Sequence, residues 1–335
     1  MKTGEDALLD QIARRFAHAS SPMASTLPVG IGDDAAIFVP KAGHETILTC
    51  DWFLEGTHFL RNKHPADAVG WKCLARAVSD VAAMGGVPRC FLLSLALPET
   101  HLGRWLSDFL GGLRRASRRF HCALAGGDTT QRRDILINTT VIGEVPAGKT
   151  VLRRGVQPDD ILYVSGKLGE AERGLRLLQS RRGLADGKDR ALLKHLYPHP
   201  RLALGSWLRE KRLATAMMDL SDGLSSDLPR LCLASGVGAR IDASRLPGVQ
   251  ISSDSQTRGN SPLQLALHGG DDYELLFAVP QRKARLIPSS LQGVPLTAIG
   301  EITRSRKIVL AEPSGREVPL KPGGWDPFRQ SQAKR

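Results

Sequence analysis

Leu8, Leu9, Ile12 and Phe16 recur at the three- and four-residue intervals of one helix face, which predicts an amphipathic helix over residues 7–18. A Ser- and Pro-rich stretch from residue 20 to 28 ends it. Two β-rich runs follow, 35–39 and 46–50, and then a long helix is expected from about Asp67, closed by Gly85, Gly86 and Pro88. Strands are expected at 91–97, 122–125 and 135–145, with a helix between Leu102 and Phe120. From Val145 to Asp160 the pattern breaks into a loop rich in Gly, Pro and Arg, so a domain boundary is expected there, with domains 1–147 and 148–335. Beyond it the pattern predicts a strand at 161–164, helices at 170–180, 189–195 and 201–212, a strand at 216–220 and a helix at 222–234. A strand at 273–279 and strands near Ala298 and Ile308 complete the series. Strands come both singly with helices and in hairpin-like sets, so the expected fold class is α+β in two domains rather than one doubly wound sheet.

Composition narrows the class. The chain has 335 residues, 41% hydrophobic and 24% charged, which is ordinary globular usage and excludes collagen, coiled coil and wholesale disorder. No apolar run reaches the roughly 18 residues of a membrane span, and acids occupy the start where a signal peptide has its apolar core. A cytoplasmic protein with no membrane partner is expected. The five cysteines are scattered without a C-x-x-C pair, which argues against a thiolate zinc site and fits a reducing compartment. A net charge of +12 raises the possibility of a basic nucleic-acid-binding protein, whose acids would merely hold a structural metal. The arginine pairs at 114–115, 118–119, 132–133, 153–154 and 181–182 are spread over both halves, however, and aromatics are only 5%. That leaves too few stacking platforms, so a solvated basic surface is the expected reading and no nucleic-acid partner is called for.

Five segments put acids at strand ends or in Gly-rich turns: Gly32-Asp33-Asp34-Ala35, Thr49-Cys50-Asp51, Gly126-Gly127-Asp128-Thr129, Asp219-Leu220-Ser221-Asp222-Gly223 and Gly269-Gly270-Asp271-Asp272-Tyr273-Glu274. Any one of them reads equally well as a plain Asx turn. Asp80 is the odd one, because at 3.6 residues per turn it shares a helical stripe with Val69, Cys73, Ala77 and Met84. Either it pairs with Arg76 in the interior or it points into a site where cations neutralise it. Carboxylates gathered in one place repel each other and any anionic substrate, and Mg²⁺, a hard cation bound through carboxylates and substrate phosphates, removes both objections. The chemistry so implied is phosphoryl transfer.

A competing motif is Gly143-Glu-Val-Pro-Ala-Gly148-Lys149-Thr150, which satisfies G-x-x-x-x-G-K-[ST] letter for letter. A working P-loop must run into a helix whose N-terminus holds the phosphates, and Gly155 and Pro158 deny it one. The match is read as accidental.

At the acidic segments the sequence resembles the thiamine-monophosphate kinases, a branch of the superfamily that also holds aminoimidazole ribonucleotide synthetase and selenophosphate synthetase. The stretches GIGDDAA (30–36), TCDWFLEGTHF (49–59), SDVAAMGGVP (79–88), GGDTT (126–130), MDLSDGLSSDL (218–228) and HGGDDYELLF (268–277) carry it in the family's order. The resemblance implies an N-terminal half that forms a dimerising sheet, a C-terminal α+β lobe, a homodimer, and direct in-line transfer from ATP to thiamine monophosphate without a protein nucleophile. It implies that Asp34, Thr49, Asp51, Asp80, Asp128, Asp219 and Asp222 serve magnesium, with Cys50 a further candidate that lacks the hydroxyl usual there. Gly126, Gly127, Arg153 and Ser221 would contact ATP; His58, Asp271 and Trp325 would contact thiamine monophosphate. Trp325 could stack on the organic end or simply patch the core as a tail residue. Residues 1–30 hold no Cys, unlike selenophosphate synthetase, and Gly56-Thr57-His58 stands where the aminoimidazole branch has Gly-Thr-Lys.

Overall fold

The computed structural model describes residues 5–16, 25–180, 189–248 and 261–328. The Arg181-Arg182 pair, residues 17 and 18 of the first expected helix and residues 20–24 of the stretch after it lie outside them. The chain divides into two compact units. One runs to Thr150 and takes in Leu196–Trp207; the other holds the remaining described residues from Val151 on.

The first unit contains α1 (Glu5–Phe16), β1 (His44–Leu54), α2 (Ala66–Ala83), β2 (Val87–Leu97), α3 (Arg104–Phe120), β3 (Ala123–Gln131) and β4 (Leu136–Pro146). Its sheet has the order β1-β4-β2-β3, with β4 antiparallel to both neighbours and β3 parallel to β2. The periodicity of α3 explains its packing: Leu106, Phe109, Leu110, Leu113, Ala116 and Phe120 are buried while Arg115, Arg118 and Arg119 are exposed. His121 in the left-handed conformation stops it. The helix α2 is instead buried on most sides, and its Val69, Leu74 and Val81 share a core with Phe109 of α3 and Phe91, Leu93 and Val141 of the sheet. Leu196–Trp207 joins this unit through Trp71, whose Nε1 donates to the Pro198 carbonyl at 2.8 Å, and through Tyr197, whose hydroxyl donates to Asp67 at 2.9 Å.

Residues 35–39 form no strand. The Ile37 amide donates to Val29 O and the Val39 amide to Thr26 O, but among the described residues the run pairs only as an isolated bridge of Ile37 with Val29, and Ile37 and Val39 stay exposed. β-Propensity without a partner to pair with does not make a strand.

The second unit contains β5 (Ile161–Ser165), α4 (Glu170–Gln179), α5 (Arg190–Leu196), the last residues of α6 (Leu202–Glu210), β6 (Ala216–Leu220), α7 (Leu224–Ser235), β7 (Gly238–Asp242), α8 (Pro262–His268), β8 (Glu274–Val279), β9 (Ser290–Leu291), β10 (Val294–Thr303), β11 (Ile308–Ala311) and β12 (Glu317–Pro319). The sheet runs β12-β11-β7-β10-β5-β8-β6, with β9 paired to β10; β7 and β11 are parallel and the other pairs antiparallel. β6 is buried throughout although it ends the sheet, because residues after Thr150 cover its edge and Leu152 accepts the Met217 amide at 3.0 Å. The sequence pattern missed β7, α8, β9 and β12, which are short or open on Gly, Pro or Glu. The mixed architecture is α+β as expected.

Candidate functional site

In the first unit, pairing register decides which candidates meet. Along β1 the alternation sets Ile47, Thr49, Asp51 and Phe53 on the face toward α2, and Thr49 Oγ1 donates to Asp80 Oδ2 at 2.5 Å. Asp80 is half-buried, and the guanidinium of Arg76 lies over the Phe53 ring, 5.4 Å from its centroid. Asp51 pairs with Thr139, which pairs with Leu93 and so with Gly127, placing the second and third acidic segments in one row. Gly127 is needed there: a Cβ would stand 1.9 Å from the Leu93 carbonyl oxygen, so no side chain fits.

Cys50 lies apart from its two neighbours in this segment. It falls on the opposite face, exposed, where its thiol lies 3.1 Å from Asn138 Nδ2, so its side chain does not join Thr49 and Asp51. The next row, Trp52–Asn138–Ser94–Asp128, sets Asp128 on that open face too, and the Leu48, Trp52 and Leu92 side chains there are exposed. Gly126 is paired with Leu92 on this side. Asp34 sits in the exposed segment before β1, its amide turned onto Asp33 at 2.8 Å. His58, in the turn after β1, accepts the Leu54 amide on Nδ1 at 3.0 Å, which puts its proton on Nε2.

The P-loop look-alike is no phosphate cradle. Its first four residues complete β4, the Gly148 amide and the Thr150 hydroxyl both donate to Glu45 at 3.1 Å, and the next regular element is β5. Lys149 is exposed in this turn.

In the second unit three segments are stitched side by side. The Asp271 amide donates to Ser221 O at 2.8 Å and the Tyr273 amide to Leu220 O at 2.9 Å, joining the turn before β8 to the one after β6. From the C-terminal segment, the Trp325 amide donates to Asp222 O at 2.9 Å, and the Gly323 and Gly324 amides donate to the Ser225 and Ser226 hydroxyls at 3.1 and 3.2 Å. Gly324 is again required, since a Cβ would come within 2.0 Å of Asp222 O. Ser221, Asp222, Asp271 and Trp325 are thereby brought together; Trp325 keeps 46% of its surface exposed. Asp219 is buried at the end of β6, while Arg153 is exposed in the loop after Thr150.

Other acids build the frame for these. Asp271 and Tyr273 both take left-handed backbone, φ 65° and 50°, and the Tyr273 hydroxyl donates to Asp271 at 2.7 Å. The residues between and after them hold that conformation. Asp272 accepts the Gly169 and Ala171 amides at the start of α4, and Glu274 accepts from the Ser165 hydroxyl and Lys194, each at 2.5 Å. Burial pushes the Asp272 carboxyl up to about 7 against the pull of Lys194 and the two amides. Asp227, in the first turn of α7, accepts the Asp222 amide at 3.0 Å, and burial, then the neighbouring Asp222 charge, push it up to about 7. Arg230 bridges Asp222 and Asp227. The sequence reading assigned no role to Asp227, Arg230, Lys194, Asp272 or Glu274; an acid in a helix's first turn with an arginine three residues on was the signal for the first two.

Among the described residues no three of His, Cys, Asp and Glu gather closely enough to cage a metal. The donors are hard oxygens, and Asp222 already holds a cationic group, so the residues fit a hard cation shared with phosphate oxygens.

The N-terminal domain model of AIR synthase related proteins matches residues 32–145 and the C-terminal domain model residues 157–311. The chain is 38% identical to thiamine-monophosphate kinase of Escherichia coli K12 over 98% of this chain and 99% of that one, and 33% identical to the Bacillus subtilis enzyme of the same name over 96% and 98%. Among solved structures, thiamine-monophosphate kinase from Stenotrophomonas maltophilia K279a superposes with a TM-score of 0.78 at 35% identity, covering 94% of this chain and 98% of that one. AaThiL complexed with AMPPCP and TMP superposes at 0.73 and 32%, covering 98% and 99%. HypE of Escherichia coli, a hydrogenase maturation protein, shares the fold at 22% identity and a TM-score of 0.74, covering 95% and 98%.

Proposed function

The chain belongs to the thiamine-monophosphate kinase family of AIR synthase related proteins, and from that premise we propose that it transfers the γ-phosphoryl group of ATP to the phosphate of thiamine monophosphate, yielding thiamine diphosphate and ADP. It is a kinase. The observation that carries the substrate reading is the stitched trio of segments, in which Ser221, Asp222, Asp271 and Trp325 meet through backbone bonds. A relative bound to AMPPCP and TMP supports ATP and thiamine monophosphate as the pair of substrates.

In this reading Asp271 and Trp325 receive the organic end of thiamine monophosphate, the partly exposed indole offering a face to the cationic thiazolium. His58, protonated on Nε2, donates to its phosphate. Ser221, Arg153 and the closely packed Gly126-Gly127 backbone bind ATP, with Arg153 supplying a guanidinium fork for phosphate oxygens. Asp34, Thr49, Asp51, Asp80, Asp128, Asp219 and Asp222 serve magnesium, with Cys50, on the same open face as Asp128, a further candidate. Magnesium, when bound, supplies neutralisation of the two meeting phosphates. With both anions held, the substrate's phosphate oxygen attacks the γ-phosphorus in line, and no side chain need act as nucleophile.

A homodimer belongs to the same proposal. The open sheet face carries Leu48 at 70% and Trp52 at 56% exposure beside Leu92, an apolar surface that a second copy would cover. Replacing Trp52 with Glu should then yield monomers in sedimentation equilibrium, and an unchanged mass would remove this face from the interface. No helix among the described residues is long and apolar enough to cross a membrane.

The decisive assay incubates the protein with ATP, Mg²⁺ and either thiamine monophosphate or free thiamine. Thiamine diphosphate and ADP should form from the monophosphate alone, since free thiamine lacks the anionic nucleophile; equal turnover of thiamine would overturn the assignment.

A further inference from the structure

Arg230 stands two turns into α7 with its Nη1 2.6 Å from Asp222 Oδ2 and 2.7 Å from Asp227 Oδ1. One nitrogen therefore bridges two carboxylates that differ in every other respect. Asp227 is 1% exposed and its second oxygen is taken by the Asp222 amide, so it is committed to the turn that opens the helix. Asp222 is at the rim, 23% exposed, and its backbone is already pinned by the Asp227 carboxylate below and the Trp325 amide above. Neither the helix nor the turn needs the Arg230 to Asp222 contact. Arg230 itself is 46% exposed, so its guanidinium can leave Asp222 for solvent while keeping the Asp227 arm.

We propose that Arg230 is a resident cation that occupies the Asp222 carboxylate until metal arrives, so that metal enters by exchange and Arg230 sets how tightly the site accepts it. The proposal rests on the reading of Asp222 as a metal ligand. A guanidinium and a divalent cation drawn to the same carboxylate oxygen repel each other, and arrival of one favours withdrawal of the other. Metal alone must displace Arg230 unaided, whereas metal carried on ATP brings phosphate charge that stabilises both cations. The clip thus makes the site discriminate against metal that comes without nucleotide, and because Arg230 stays tethered to Asp227, the buried carboxylate keeps its counter-charge in both states.

The test is a Mn²⁺ titration of the full-length, nucleotide-free protein, reading free Mn²⁺ by electron paramagnetic resonance. Arg230→Gln should bind Mn²⁺ about fivefold more tightly than the wild type, and Arg230→Lys, which keeps the charge on a shorter-reaching nitrogen, should fall between. Thermal melts establish that both variants are folded; if Arg230→Gln does not fold, Arg230→Lys carries the comparison, and wild-type affinity there overturns the clip. Unchanged or weaker binding in a folded Arg230→Gln also overturns it. Asp222→Asn separates the two layers. Weakened Mn²⁺ binding in Asp222→Asn with no tightening in Arg230→Gln removes the clip alone, while unaltered binding in Asp222→Asn removes the ligand reading and the clip together.

Discussion

The two units carry their candidate acids in opposite ways. In the first, carboxylates ride on an apolar scaffold: Asp51 and Asp128 occupy neighbouring rows of one sheet but opposite faces, Asp80 projects from a helix buried on most sides, and Thr49 supplies the short link between β1 and α2. In the second, acids themselves are the scaffold. Asp227, Asp272 and Glu274 are buried, each paired with amides or a cation, and they fix the turns that present Asp222 and Asp271. Where the frame is apolar, an acid can be neutralised with little structural consequence; where the frame is polar, removing one partner leaves a charge stranded in the interior.

The largest effect follows from that contrast. Lys194→Met strands the Glu274 carboxylate, which is 1% exposed, and should cost about 3–5 kcal/mol in denaturant unfolding. A loss under 1 kcal/mol would mean the second unit does not depend on its polar frame.

The pH dependence sharpens the same point. Asp272 titrates at about 7 when folded against an ordinary value of 3.8, so the folded state holds an extra proton between those values. Its contribution is fullest below pH 4, is lost as pH rises toward 7 and stays constant above, with a total on the order of a few kcal/mol. Asp272→Asn should roughly halve the wild-type fall in stability over that window, Asp227 supplying the rest, and an identical slope in both proteins would refute the assignment.

In the first unit the expected change is catalytic. Asp80→Asn should lower kcat on the order of a hundredfold with the melting temperature nearly unchanged if Asp80 serves magnesium as proposed, since the change then removes a ligand without a change of volume. An unfolded variant would make Asp80 part of the frame instead. The smallest effect is at the rim: Trp325→Ala should raise KM for thiamine monophosphate by about 1 kcal/mol, or roughly fivefold, and leave KM for ATP nearly as it was. Equal weakening of both substrates would mean that Trp325 only braces the Asp222 turn.

The same contrast explains what could be read from the sequence. Apolar periodicity located α2, α3, β4, β6 and β8 to within a few residues, since those elements are defined by burial. The Asp- and Gly-rich segments stand out in the sequence by their number, since any one of them alone reads as a plain Asx turn. Residues 35–39 are not the strand the pattern predicts, because propensity carries no information about a missing neighbour. The polar frame was the least legible part. Lys194 and Glu274 are 80 residues apart, and Asp272 meets α4 across 103, so only the fold reveals that they are partners.

The central claim, that carboxylates rather than the P-loop look-alike handle the nucleotide, is tested most directly by kcat and ATP affinity in three variants. Lys149→Ala should stay close to wild type, because the turn that carries it is tied to Glu45 and no helix follows, whereas Asp128→Asn and Asp222→Asn should each be crippled. An inactive, folded Lys149→Ala beside an active Asp128→Asn would contradict the account.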